Sequence, residues 1–199
     1  MYVKICGLRT AETLDAAVDA GADAVGFVFA AGSPRLIDAE SARALAERVP
    51  AAVETVGVFR SQPVEEVLAT ASAAGLTTVQ LHGDESDGDF ERLRASGFRT
   101  IRAMARDTYL ARPSTDPADR LLIDAPLPGG GTRFDTDVLR ARPPQGFWLL
   151  AGGLDPANVA EAVQSANPDG VDVSSGVESS RGVKSADLIR RFVEAARNG

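Results

Sequence analysis

"VKICGLRT", residues 3–10, reads as one strand, one turn and the start of one helix. A short apolar run ends at Cys6, Gly7 breaks it, and Thr10 is a residue type that caps helix N-termini. Cys6 is the single cysteine of the chain. Free cysteine behaves as a small hydrophobe, so a buried filler is the plain reading of it. The rest of the chain decides whether it is more than that.

The same strand-then-helix unit recurs along the chain. Strand signals fall at 2–6 (YVKIC), 23–29 (DAVGFVF), 53–59 (VETVGVF) and 77–82 (TTVQLH), then at 98–104 (FRTIRAM), 119–125 (DRLLIDA), 147–153 (FWLLAGG) and 169–175 (DGVDVSS). Helical patterns fall between most of them, at 10–20, 38–48, 63–74, 86–95, 135–141, 156–166 and 184–197. Thr10, Asp38 and Asp155 (followed by Pro156) are candidate N-caps, and Gly21, Gly75 and Gly97 stand where left-handed C-caps belong. The fifth helix is predicted to be a stub around 107–111, because Pro113 and Pro117 interrupt the stretch 106–120. Eight β-α units in 199 residues predict a single (β/α)₈ barrel, a catalytic domain over residues 1–199, with an open doubly wound sheet as the alternative. No linker or low-complexity segment marks a second domain.

Composition narrows the function classes. With 44% hydrophobic residues the chain can bury a sizeable core. One cysteine excludes an internal disulfide and a cysteine-built zinc site, and one histidine, His82, cannot make a multi-histidine metal centre, so no metal is expected. The net charge is −7 and no basic run is present, which argues against nucleic acid as a partner. No signal-like N-terminus or membrane-length apolar run is visible, so the expectation is a cytoplasmic chain without membrane contact. Nothing demands an oligomer, and a monomer is expected. An anionic substrate would have to be attracted by local amides and a few basic side chains.

In a closed barrel alternate strand residues point inward, and active sites lie at the strands' C-terminal ends. That parity turns Lys4 and Cys6 inward on the first strand, Gln80 and His82 on the fourth, Leu122 and Asp124 on the sixth, and Asp172 and Ser174 on the eighth. Polar residues thus collect at one mouth, and Cys6 is among them. A thiolate near positive potential is an available base. Asp124, at the end of an apolar strand, is a candidate general acid with a raised pKa, or else a loop hydrogen-bonder. Gly152, Gly153, Ser174, Ser175 and Gly176 end the seventh and eighth strands, where amides that converge on one anion suit a phosphate; tight turns alone are the alternative. Arg35, after the second strand, is either a carboxylate clamp or a solvated loop residue. His82 is read as contacting substrate or neighbours. Asp172 either accepts from a sugar hydroxyl or pairs with Lys4, and the two are compatible. The loop 126–136 is placed to cover the mouth.

In "VKICGLRT", "GFVFAAGSPR", "VQLHGDE", "LLIDAPLPGGGTRFDT", "LAGGLDPANV" and "GVDVSSGVESSRGVK" the chain resembles the phosphoribosylanthranilate isomerase family, in order, from residue 3 to residue 184. The resemblance implies a (β/α)₈ barrel that performs an Amadori rearrangement of N-(5-phosphoribosyl)anthranilate in tryptophan biosynthesis, without metal or organic cofactor. It implies Cys6 as general base and Asp124 as general acid. It puts Arg35 on the anthranilate carboxylate, the GG and SSG loops on phosphate, and Asp172 near the ribose hydroxyls. Two positions depart from the family pattern: Gly130 stands where a hydroxyl residue is usual, and Thr136 where Trp is usual. Among rival readings, a metal-dependent epimerase lacks ligands, and indole-glycerol-phosphate synthase would need a lysine acid at the mouth. A non-catalytic or specialised phosphosugar- and anthranilate-binding barrel is the alternative from another class.

Overall fold

The computed structural model describes residues 1–112, 120–124 and 137–199. Eight parallel strands close into a barrel in chain order: β1 (Tyr2–Cys6), β2 (Ala24–Val28), β3 (Glu54–Phe59), β4 (Thr78–Leu81), β5 (Arg99–Ala105), β6 (Arg120–Asp124), β7 (Trp148–Ala151) and β8 (Gly170–Val173). Closure is made by β1 pairing with both β2 and β8, with Lys4 beside Ala24 on one side and Asp172 on the other. The helices are α1 (Ala11–Asp19), α2 (Ala39–Ala46), α3 (Val64–Ala73), α4 (Asp87–Ala95), α5 (Arg106–Ala111), α6 (Asp137–Ala141), α7 (Val159–Ala166) and α8 (Ala186–Asn198). The expected barrel is therefore present, and the open sheet is excluded. None of these helices is long and apolar enough to cross a membrane.

Local chemistry accounts for most boundaries. The Thr10 side chain accepts from the Thr13 N–H, and Asp38 Oδ1 accepts from the Ser41 N–H at 2.8 Å. Gly21, Gly75 and Gly97 all carry the positive φ expected of them. The stub of a fifth helix is six residues long; Pro113 and Pro117 lie outside the described residues. The helix expected from residue 156 starts at Val159 instead. Asp155 caps a preceding turn: its Oδ1 accepts from the Ala157 N–H at 2.7 Å, while Asn158 Oδ1 reaches back to the Asp155 N–H at 2.8 Å. The last helix begins at Ala186 rather than 184 because a hairpin precedes it. That hairpin, β9 (Glu178–Ser180) with β10 (Val183–Lys184), is antiparallel and was not anticipated from the sequence.

The alternation of strand side chains divides the interior in two. Val3, Ile5, Phe27, Ile123 and Leu150 face outward and meet Leu14, Leu93, Ile189 and Phe192 of the helices, all of them buried. Inside the barrel, Ala24, Val56, Ile101, Leu122 and Leu149 form a separate apolar layer. Each large side chain so buried contributes roughly 1.5–3 kcal/mol, so the outer layer carries most of the stability. The inner layer is thin, and above it the inward residues become polar.

Candidate active site

A cavity of about 480 Å³ opens at the C-terminal ends of the strands. Cys6, His82, Asp124 and Asp172 line it from β1, the end of β4, β6 and β8. Arg35 lines it from the loop after β2, and Gly152, Gly153, Ser174 and Ser175 from the ends of β7 and β8. Nine of the ten residues expected from the sequence thus share one cavity. Gly176 is the exception: it does not line the cavity but stands behind it. A Cβ on Gly176 would lie 1.8 Å from the Leu154 carbonyl oxygen, so this glycine lets the β8 loop close onto the β7 loop. The short extra helix expected there is a single 3₁₀ turn, Ser175–Val177.

The amides at this corner are available to a ligand. None of the loop hydrogen bonds between described residues is donated by the N–H of Gly152, Gly153, Ser174 or Ser175. Gly152 and Gly153 have φ of 93° and 62°, a conformation that glycine adopts without Cβ strain and that turns successive amides toward one space.

Cys6 is buried, at 6% exposure, beside Gly26, whose missing Cβ would sit 3.1 Å from the thiol sulfur. Burial pushes its pKa up; the Lys4 ammonium and, less strongly, Lys184 pull it back, and Asp172 opposes them. The balance is a raised thiol. Positive groups thus act on Cys6, but desolvation inside the barrel is the larger effect. Lys4 is fully buried, and its Nζ donates to Asp172 Oδ1 at 2.7 Å. Its own burial favours the neutral amine, but Asp172 and Cys6 outweigh that and keep it cationic. Of the two readings of Asp172, the pair with Lys4 is formed, and the carboxylate also borders the cavity.

Asp124 behaves as a shielded acid. Burial raises its pKa, His82 lowers it and Asp172 adds to the rise; the net shift is upward. His82 Nε2 stands 3.7 Å from Asp124 Oδ2, so the histidine neighbours the candidate acid.

Arg35 is not a solvated loop residue. Its Nε and Nη2 donate to Glu178 Oε1 and Oε2 at 2.6 and 3.0 Å. Glu178 and Lys184 escaped the sequence reading, as did Arg60 and Gln80 as cavity residues. Lys184 Nζ, almost wholly buried, donates to Ser174 O at 2.8 Å and to Glu178 Oε1 at 2.9 Å. A hairpin signal existed for this pair: turn residues Arg181 and Gly182 separate two short runs that carry opposite charges, Glu178 and Lys184. Gln80 points inward as the strand parity predicts, and its Oε1 is buried with no hydrogen-bond partner among the described residues. The loop 126–136, with Gly130 and Thr136, lies outside the described residues.

The family model described as N-(5'phosphoribosyl)anthranilate (PRA) isomerase matches residues 3–195. N-(5'-phosphoribosyl)anthranilate isomerase of Thiobacillus denitrificans is 45% identical over 201 residues, covering 98% of this chain and 97% of the relative. The crystal structure of phosphoribosyl anthranilate isomerase from Thermotoga maritima superposes with a TM-score of 0.92 at 36% identity, covering 100% of both chains. A phosphoribosyl anthranilate isomerase in complex with reduced 1-(o-carboxyphenylamino)-1-deoxyribulose 5-phosphate superposes at 0.89 with 35% identity, again over 100% of both.

Proposed function

The chain belongs to the N-(5'-phosphoribosyl)anthranilate isomerase family, and on that premise we propose that it converts N-(5'-phosphoribosyl)anthranilate to 1-(2-carboxyphenylamino)-1-deoxyribulose 5-phosphate, a step of tryptophan biosynthesis, with Cys6 as general base and Asp124 as general acid. The observation that carries the assignment of roles is that a shielded carboxyl from β6 and a buried thiol from β1 border one cavity.

In this reading the phosphate lies against the amides of Gly152, Gly153, Ser174 and Ser175, and Gly176 keeps their two loops together. Arg35 holds the ring carboxylate from across the mouth, and Asp172 accepts from a ribose hydroxyl. Asp124 gives its proton to the ribose ring oxygen; the C1–O bond breaks and the nitrogen lone pair forms an iminium. The iminium acidifies the C2–H. Cys6 as thiolate takes that proton, the C–H electrons form the C1–C2 double bond of an enolamine, and tautomerisation yields the ketone. Burial disfavours the thiolate, but once formed it is a stronger base for that reason. Lys4, beside the sulfur, stabilises it without entering the reaction. All these residues lie on one chain, so a monomer holds a complete site.

The test follows the fluorescence of phosphoribosylanthranilate as it is consumed. Wild type turns it over. Cys6→Ser and Asp124→Asn each lose about 10²- to 10⁴-fold in kcat while still binding the reduced product. Binding without turnover in the wild type would instead make the chain a phosphosugar-binding barrel.

A further inference from the structure

Glu178 takes no part in the proton transfers, yet the arginine side of the cavity is built around it. Its side chain is 5% exposed and accepts from four donors. Oε1 takes Arg35 Nε at 2.6 Å and Lys184 Nζ at 2.9 Å; Oε2 takes Arg35 Nη2 at 3.0 Å and the Gly182 N–H at 2.9 Å. Burial acts against its charge, but Arg35, Gly182 and Lys184 together hold its pKa down at about 2, so it is a carboxylate at every working pH.

A guanidinium has five N–H donors arranged along two usable edges. Glu178 occupies the side-on edge, Nε with Nη2. The end-on edge, Nη1 with the second hydrogen of Nη2, has no partner among the described residues, and Arg35 lines the cavity. The arginine stem is held from below as well. A Cβ on Gly7 would lie 2.6 Å from Arg35 Cδ, so the side chain is laid across bare backbone. The cluster of Arg35, Lys184 and Glu178 keeps one net positive charge, which suits a single anionic group.

We propose that Glu178 is a positioning residue for recognition of the substrate's ring carboxylate: by clamping the side-on edge of Arg35 it presents the end-on edge to that carboxylate. The inference rests on the reading of Arg35 as the carboxylate's partner. It also explains why lysine could not serve at position 35, since an ammonium has no second edge to offer.

The experiment compares wild type, Arg35→Ala and Glu178→Gln. Each is measured for kcat and KM with phosphoribosylanthranilate, and for inhibition by two unreactive analogues: reduced 1-(o-carboxyphenylamino)-1-deoxyribulose 5-phosphate, and the same compound with a plain phenyl ring. The glutamine keeps the shape of Glu178 but offers one acceptor oxygen in place of two. Glu178→Gln is expected to weaken the carboxylate-bearing analogue about tenfold relative to the phenyl one, and to raise KM with little change in kcat. Equal weakening of both analogues, or of neither, would overturn the proposal, the first because it marks a general loss of structure. Arg35→Ala separates the two layers. If it too fails to discriminate between the analogues, the reading of Arg35 falls; if it discriminates and Glu178→Gln does not, only the role of Glu178 falls. Should the glutamine variant not fold, Glu178→Asp is read with the same two analogues, because its shorter carboxylate cannot meet Arg35 and Lys184 together.

Discussion

At the scale of single residues, the proposed acid and base are tuned by burial more than by their partners. The proposed mechanism requires Asp124 protonated and Cys6 ionised, whereas both pKa values are raised in the free protein. The thiol still titrates above the carboxyl, so the productive state is a minority form whose population is constant between the two pKa values. The profile of kcat/KM against pH is therefore expected to be a broad plateau. Its acid limb, set by Asp124, lies above the ordinary aspartate value of about 3.9, and its alkaline limb, set by Cys6, above the ordinary thiol value of about 8.5. Steady-state rates across this range check it. An alkaline limb below the ordinary thiol value would mean that Lys4 and Lys184 outweigh desolvation at Cys6.

At the scale of elements, the proposed phosphate corner depends on two loops whose backbones touch. Gly176 is where they meet. Gly176→Ala puts a methyl group 1.8 Å from the Leu154 oxygen and 3.0 Å from Asp155 Cα, both backbone atoms that cannot step aside alone. The loop after β7 must move, and with it the amides of Gly152 and Gly153. Inhibition by inorganic phosphate is expected to weaken at least about tenfold, the loss of roughly one charge-assisted contact, with a lower Tm. Unchanged phosphate inhibition would show that the anion is held elsewhere. The hairpin β9–β10 is a second such joint. Arg9 Nη2 donates to the Gly182 carbonyl at 2.9 Å, and a Cβ on Gly182 would meet the Pro34 oxygen at 2.8 Å. The strand that carries Glu178 is thereby tied to the loops after β1 and β2.

At the scale of the whole molecule, the two ends of the barrel divide the labour. The floor, at the N-terminal ends of the strands, is closed by Glu54. Its carboxylate accepts from Tyr2, from Thr78, from Arg120 Nη1 and Nη2 at 2.9 and 2.6 Å, and pairs with Arg99 at 2.9 Å. Burial alone would raise its pKa, but these donors, Arg120 foremost, bring it down from 4.5 to about 2. A carboxyl whose folded pKa is depressed stabilises the fold above its unfolded pKa, and that stability is lost as pH falls toward the folded value. The Glu54 contribution, about 3 kcal/mol, is thus complete above about pH 4.5 and fades toward about pH 2. Glu54→Gln is expected to lower stability at neutral pH by a similar amount and to narrow its gap from wild type in acid. Urea unfolding at both pH values measures this, and a gap independent of pH would remove Glu54 from the acid response. Because the floor is remote from the cavity, kcat at neutral pH should change little while the variant remains folded.

The sequence by itself determined the period and the parity. Eight β-branched runs with helices between them leave little besides a barrel, and alternation along each run sends Lys4, Cys6, Gln80, Asp124 and Asp172 inward because strand side chains alternate by geometry. Caps such as Thr10 and Asp38 were legible for the same reason: their partner lies three residues away. What only the tertiary structure decided is which charges meet. Arg35 finds Glu178 across 143 positions of sequence, and Lys4 finds Asp172 across 168. The same holds for the thiol of Cys6, whose ionisation is set by burial and by charges on β1, β8 and β10. Desolvation and Coulomb energy depend on distance in space, and only ring closure and the docking of the hairpin bring these groups within reach of one another.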